Sequence, residues 1–280
     1  MLHLWIGRAG AGKTARVLET IKKNRIRRGQ ILIVPEHVSH EAEVALCHAL
    51  GDTASRNAEV LSLRNLSGRV LGEVGGLSDF TLDCGGKLLT MRMALQEVGS
   101  SLHVFNNPSR RAAFLEQLVA LVDELYAYEI PPQELYAQVQ DVPGQEGDKL
   151  RDVALLYAAY DARLRSGGRD ARSRVQKLRD ALPQASYLRG KDVYFDGFSY
   201  FNKTEEWILL TALTQAESVT VTLLGDRSAT EIFQNALRQR QRLVRMAQQT
   251  GCRCTMEFME PAGNTPLAHL EKCFFGAEAP

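Results

Sequence analysis

The sequence predicts an α/β fold in which a three-layer parallel sheet is interrupted by an all-α block. Three observations predict it. Short apolar runs alternate with helical periodicity toward both ends of the 280-residue chain. A glycine-rich turn, Gly7-Arg8-Ala9-Gly10-Ala11-Gly12-Lys13-Thr14, joins the first apolar run to the first helical stretch. Between the two alternating regions, residues 82–182 carry helical periodicity without a convincing strand.

The elements follow in order. Residues 2–6 read as a short buried strand, and residues 15–26 as an amphipathic helix with Val17, Leu18, Ile21 and Ile26 near one face. Residues 30–34 form a second apolar run stopped by Pro35. A helix over 40–50, a strand over 58–62 and a helix reaching 71 come next. The helical block is broken at Asn106-Asn107-Pro108, Pro131-Pro132 and Val142-Pro143-Gly144. Strands resume at 192–195 and 218–224, with a helix over 204–214 between them. The expected organisation is an α/β domain over 1–81 and 183–226, an inserted helical subdomain over 82–182, and a helical extension over 227–280 that fits the truncated start of a next domain.

Strand, glycine-rich turn and helix are the context that a P-loop needs. Glycines at 7, 10 and 12 let successive N–H groups turn inward toward phosphate oxygens, and the helix beginning near Lys13 adds its positive dipole end. Residues 7–14 are therefore expected to bind ATP. Lys13 would reach the terminal phosphates, and the Thr14 hydroxyl would ligate Mg2+. A second element is expected at Val193-Tyr194-Phe195-Asp196, where Asp196 ends an apolar strand and would hold the metal through water. A motor ATPase places a carboxylate directly after this aspartate to orient water, but here that position is Gly197, and Glu205 and Glu206 lie farther along. Nucleotide binding with weak or absent turnover follows.

Composition sets wider bounds. The chain is long enough for a sizeable core, has no run of about 18 apolar residues, and reaches its P-loop too early for a signal peptide, so a cytoplasmic protein is expected, with no membrane partner. Cysteines 47, 84, 252, 254 and 273 are too scattered for a disulfide framework, and Cys252-Arg253-Cys254 alone is a weak metal signal. A net charge of +1 excludes no partner, because nucleic-acid binding needs a basic patch and not a basic total.

The P-loop, the run Ile31-Leu32-Ile33-Val34-Pro35-Glu36 with His37-Val38-Ser39-His40-Glu41-Ala42-Glu43 after it, Val60-Leu61-Ser62-Leu63-Arg64-Asn65-Leu66 and Val193-Tyr194-Phe195-Asp196-Gly197-Phe198 together resemble the amino-terminal region of the AddB/RexB family. Members of that family are components of the bacterial AddAB and RexAB helicase–nucleases, which process double-strand breaks. The resemblance runs in order along nearly the whole chain and fades over the last 50 or so residues. It implies a superfamily 1 helicase-like, RecA-like P-loop core whose motor function has lapsed, an AddA-like motor subunit as heterodimer partner, and single-stranded DNA as ligand. It also implies a longer chain, with the nuclease domain and the iron–sulfur cysteines beyond residue 280.

Loops at the carboxyl ends of the strands face the strand of DNA in such cores. His37, Ser39, Arg64, Asn65, Phe198, Tyr200 and Phe201 are the expected DNA contacts, the aromatic rings as stacking faces and the others toward phosphate or base edges. Phe198 and Phe201 have an alternative role as packing beneath the following helix. Gly225-Asp226-Arg227-Ser228-Ala229 echoes a Gly-Asp-x-x-Gln element, with Ala229 in place of the glutamine, and also fits a plain strand-ending turn. The basic stretch over 163–179 suits either DNA phosphate or a solvated face, whereas Arg238, Arg240, Arg242 and Arg245, on a Gln- and Arg-rich helix, suit a contact with the rest of a longer chain or with the partner subunit. A scaffold with nucleotide as a structural ligand remains an alternative, as does a small-molecule P-loop kinase, which the long helical block fits poorly.

Overall fold

The computed structural model describes residues 1–24, 29–51, 58–76, 82–105, 112–166, 174–227 and 233–260. Ile26, the 106–108 break, Arg169, Arg172, Ala229 and Cys273 lie outside the described residues. The chain divides into two compact units.

The first unit takes Met1–Arg69, Leu182–Phe201 and the described residues of Glu206–Pro280. Its centre is one six-stranded sheet in the order β3-β2-β4-β5-β1-β6, with every neighbouring pair parallel. The strands are β1 Leu2–Gly7, β2 Gln30–Ile33, β3 Ala58–Leu61, β4 Asp192–Phe195, β5 Ser218–Leu224 and β6 Cys254–Met259. The central strands β2 and β4 are buried at every position, as apolar runs in a sheet covered on both faces must be. Helices α1 Lys13–Asn24 and α2 Ser39–Leu50 cover one face, where Val17, Ile21, Leu46 and Leu50 join Trp5, Leu32, Val34, Val60 and Tyr194 in one core cluster. Helix α3 begins at Leu63 and ends at Val74, with the Ser62 hydroxyl accepting from the Asn65 N–H of its first turn.

The second unit takes Val70–Ala181 and Asn202–Glu205. It holds α4 Cys84–Val98, α5 Ala112–Ala127, α6 Pro132–Val139, α7 Gly144–Ser166 and α8 Arg174–Ala181, and no strand occurs among its described residues. Met91, Leu95, Leu118, Val122, Leu156, Tyr157 and Tyr160 form its core. Buried Asp152 accepts the backbone N–H groups of His103, Val104 and Phe105, which anchors that turn to α7. Three described arginines of the cluster over 163–179 are neutralised locally: Arg163 pairs with Glu97, Arg165 with Asp161, and Arg179 with Glu129 and Asp180. A solvated, ion-paired face accounts for those side chains.

The described residues of the expected helical extension over 227–280, namely 227 and 233–260, include a strand as well as a helix. Helix α10, Gln234–Gln249, is followed by β6, which pairs with β1 from Leu2↔Cys254 to Gly7↔Met259 and extends the sheet. An edge strand keeps one side in solvent, so its sequence need not be an unbroken apolar run. Helix α9, Lys203–Gln215, links β4 to β5 and opens on a reciprocal capping pair: Asn202 Oδ1 accepts from the Glu205 N–H, and Glu205 Oε2 accepts from the Asn202 N–H. Among the described residues, no helix is long and apolar enough to cross a membrane.

Candidate nucleotide site

Residues 7–14 run from the last position of β1 into the first turn of α1. Gly10 and Gly12 hold φ of +74° and +76°, the left-handed region that glycine enters without strain. Gly7 is required for a different reason. A Cβ there would stand 2.9 Å from Ala11 Cβ and 2.9 Å from the Met259 carbonyl oxygen, so the close approach of β6 and of the loop itself leaves room for hydrogen only. The Lys13 ammonium turns back over the loop and donates to the carbonyl oxygens of Gly7 and Arg8, each at 2.7 Å.

Asp196, at the end of β4, is buried, and its backbone N–H donates to Ile33 O of β2. Its two carboxylate oxygens are divided. Oδ2 accepts from the Thr14 hydroxyl at 2.7 Å, and Oδ1 accepts from the Thr222 hydroxyl of β5. Strand β5 lies between β4 and β1, so Thr222 braces from the middle strand the carboxylate that meets the loop from the next one. Gly197 follows with φ of +80°, and a Cβ on it would touch Pro35 Cδ at 3.5 Å. The Val-Pro-Glu and Asp-Gly-Phe segments thus meet at the ends of β2 and β4. Of the two acids that follow, Glu205 is held in the capping pair and Glu206 binds Arg242 at 3.0 Å. Burial pushes the Glu205 carboxyl above the ordinary carboxylate range.

One contact at the loop escaped sequence reasoning. Arg8 donates through Nε and Nη2 to Asp226 Oδ2, at 3.1 and 2.7 Å, tying the glycine-rich loop to the turn after β5. The other oxygen, Asp226 Oδ1, is buried without a hydrogen-bond partner. The aspartate at the end of a strand is the only trace of this pair in the sequence.

The residues expected to meet DNA separate by exposure. His37 is exposed in a short 3-10 turn after β2, and Ser39 opens α2 with its hydroxyl donating to Glu36 O at 2.9 Å. Arg64 and Asn65 are exposed on the first turn of α3. Tyr200 is 65% exposed, whereas Phe201 is 3% exposed. The Phe201 ring packs edge-on to Phe195 and stacks on half-buried Phe198 at 4.9 Å, and its N–H donates to Gln239 Oε1. Packing, and not an open stacking face, describes Phe201; an apolar ring two residues before a helix has the sheet core within reach. Cys252, half of the close cysteine pair, spends its thiol on the Leu213 carbonyl.

The family model described as ADDB, N-terminal, matches residues 4–271. The chain belongs to the AddB amino-terminal family. Its AddB-family relatives include proteins named as the B subunit of an ATP-dependent helicase/deoxyribonuclease. The one from Pelotomaculum thermopropionicum is 34% identical over 300 residues, covering 98% of this chain and 26% of the relative. The one from Moorella thermoacetica is 32% identical over 297 residues, with the same two shares. For Geobacillus thermodenitrificans the figures are 32% over 238 residues, 81% of this chain and 20% of the relative. The chain thus spans about a quarter or less of the length of these AddB-family relatives.

Proposed function

We propose that this chain is the ATP-binding, helicase-like part of a subunit that processes DNA double-strand breaks, with weak or no ATP turnover of its own. The observation that carries the reading is the convergence of Lys13, Thr14 and Asp196 at the carboxyl end of β1 and β4. Lys13 already covers the loop whose N–H groups would cradle phosphate, and the Thr14 hydroxyl lies on the carboxylate expected to share its metal. The donor set fits Mg2+, a hard cation that takes oxygen ligands and keeps waters. Bound there, Mg2+ supplies positive charge at the phosphate oxygens. Lys13 and the loop N–H groups orient the phosphates, and Thr222 holds the Asp196 carboxylate in place.

Turnover requires a group that orients the attacking water, and this site supplies none in the expected position. Gly197 occupies it, and Glu205 and Glu206 are engaged elsewhere. The names carried by the relatives support an ATP-dependent helicase and deoxyribonuclease setting. In that setting the chain holds single-stranded DNA through His37, Ser39, Arg64, Asn65, Phe198 and Tyr200, and docks an AddA-like motor subunit. The helical unit then serves as a subdomain inserted into a RecA-like core.

Equilibrium titration with a fluorescent ATP analogue tests the nucleotide reading. Lys13→Ala removes a charged donor and lowers affinity by about 10- to 100-fold with the melting temperature of the ligand-free chain preserved. Unchanged affinity would refute the reading, and collapse of the fold would favour nucleotide as a structural ligand.

A further inference from the structure

The β6 edge of the sheet, beside β1, carries a second basic feature that the nucleotide site does not use. In parallel register with β1, Met256 sits beside Leu4, Glu257 beside Trp5 and Phe258 beside Ile6. Trp5 belongs to the core on the α1 face, and Glu257 follows it there, held by both terminal nitrogens of Arg16 at 2.6 Å. Met256 and Phe258 therefore project to the other face, beside α10, where Met256 is 52% exposed. Between strand and helix runs an open groove of about 740 Å³, lined by Arg240, Gln241, Val244, Arg245, Gln248, Met256 and Phe258.

None of these lining residues is acidic. Two carboxylates adjoining these residues in sequence are engaged elsewhere: Glu257, between Met256 and Phe258, on Arg16 across the sheet, and Asp226, before Arg227, on Arg8. The guanidinium carbons of Arg227 and Arg240 stand 5.5 and 5.7 Å from the centre of the Phe258 ring, and among the described residues neither arginine nor Arg245 forms an ion pair. Planar guanidinium forks without carboxylate partners bind phosphate bidentately, and their faces stack on bases as aromatic rings do.

We propose that this groove binds a segment of single-stranded nucleic acid, with Arg227, Arg240 and Arg245 on phosphates and bases lying over the Phe258 floor. The proposal rests on the reading that the chain handles single-stranded DNA, and it adds a path on the β6 side of the P-loop, away from the contacts expected after β2, β3 and β4. Lining composition favours a strand over an acidic helix. Four of the seven lining side chains are long and polar, Arg240, Gln241, Arg245 and Gln248, while Val244, Met256 and Phe258 make an apolar floor too short for a helix stripe, which repeats at every turn. Glutamine amides also read base edges, which a helix does not offer.

Fluorescence anisotropy with a labelled oligothymidylate, titrated over a range of salt, tests it. Three proteins are compared: the unaltered chain, Arg240→Glu with Arg245→Glu, and Phe198→Ala with Tyr200→Ala. A fourth, Arg240→Gln with Arg245→Gln, removes charge without reversing it and guards against misfolding, which melting curves check. Loss of two phosphate contacts flattens the plot of log affinity against log salt by about 1.4. That flattening in both arginine variants, with affinity reduced at least about tenfold at low salt, supports the groove. Arginine variants that keep the unaltered slope and affinity overturn it, and if the Phe198 and Tyr200 variant then loses binding, the strand runs only over the loops. Loss in the arginine variants alone leaves the groove standing and removes the loop contacts. No binding by the unaltered chain overturns both. Poly-L-glutamate is the competing probe: if its binding alone depends on the arginines, the groove takes an acidic polypeptide and the nucleic-acid assignment is wrong.

Discussion

The Thr14 hydroxyl donates to Asp196 Oδ2 at 2.7 Å across 182 positions of sequence, joining the first turn of α1 to the end of β4. In the nucleotide reading both groups belong to the magnesium site, so the bond marks where the metal would enter. Asp196→Asn keeps the shape and retains an oxygen for one hydroxyl while removing the charge. It is expected to weaken Mg-ATP binding about tenfold or more while leaving Mg-free ATP affinity nearly unchanged, as read by titration with and without chelator. Equal loss in both conditions would mean that Asp196 acts only as a brace.

The Arg8–Asp226 pair makes a prediction about stability. Both side chains are 15% exposed, so removing one partner strands a largely buried charge. Arg8→Ala is expected to cost about 1–3 kcal/mol in urea melts, and Arg8→Ala with Asp226→Ala less than Arg8→Ala alone. Strict additivity of the two changes would show that the pair contributes no coupling.

His3 gives the sheet edge a pH dependence. Its Nδ1 lies 2.8 Å from Thr255 Oγ1, linking β1 to β6, and burial together with the N-terminal ammonium lowers its pKa below 6.5, against the opposing pull of Asp192. The folded state therefore binds its proton less readily than the unfolded chain. The resulting stability is full above 6.5 and is lost as pH falls from there toward the folded value. His3→Asn is expected to flatten this part of the stability profile, measured by denaturant melts on either side of the ordinary imidazole value. An unchanged profile would assign the acid sensitivity to other groups.

Much of this architecture is legible because it is local. The run from Val193 to Asp196 and the glycine spacing from Gly7 to Thr14 each declare a strand end and a turn within a few residues, and the structure has β4 and the β1–α1 turn at those positions. What escapes is what tertiary contact decides. Thr222 looks like one more β-branched strand residue until β5 lies between β1 and β4 and brings its hydroxyl to Asp196. Arg8 reads as a variable loop position until Asp226 meets it. Strand β6 has no fully buried residue, so only the alternation of Thr255 and Glu257 with Met256 and Phe258 was there to find, and the arginine- and glutamine-rich helix before it outweighed that signal. Phe201 and Tyr200 are adjacent aromatics, and only packing tells the core ring from the exposed one.

The most direct test of the central claim is the steady-state rate of magnesium-dependent ATP hydrolysis by the purified chain, with and without excess single-stranded DNA, alongside equilibrium ATP binding. A binding-competent site with Gly197 after its metal-site aspartate predicts saturable ATP binding and no turnover above background in either condition. Hydrolysis accelerated by DNA would contradict the account and require a catalytic carboxylate elsewhere in the chain.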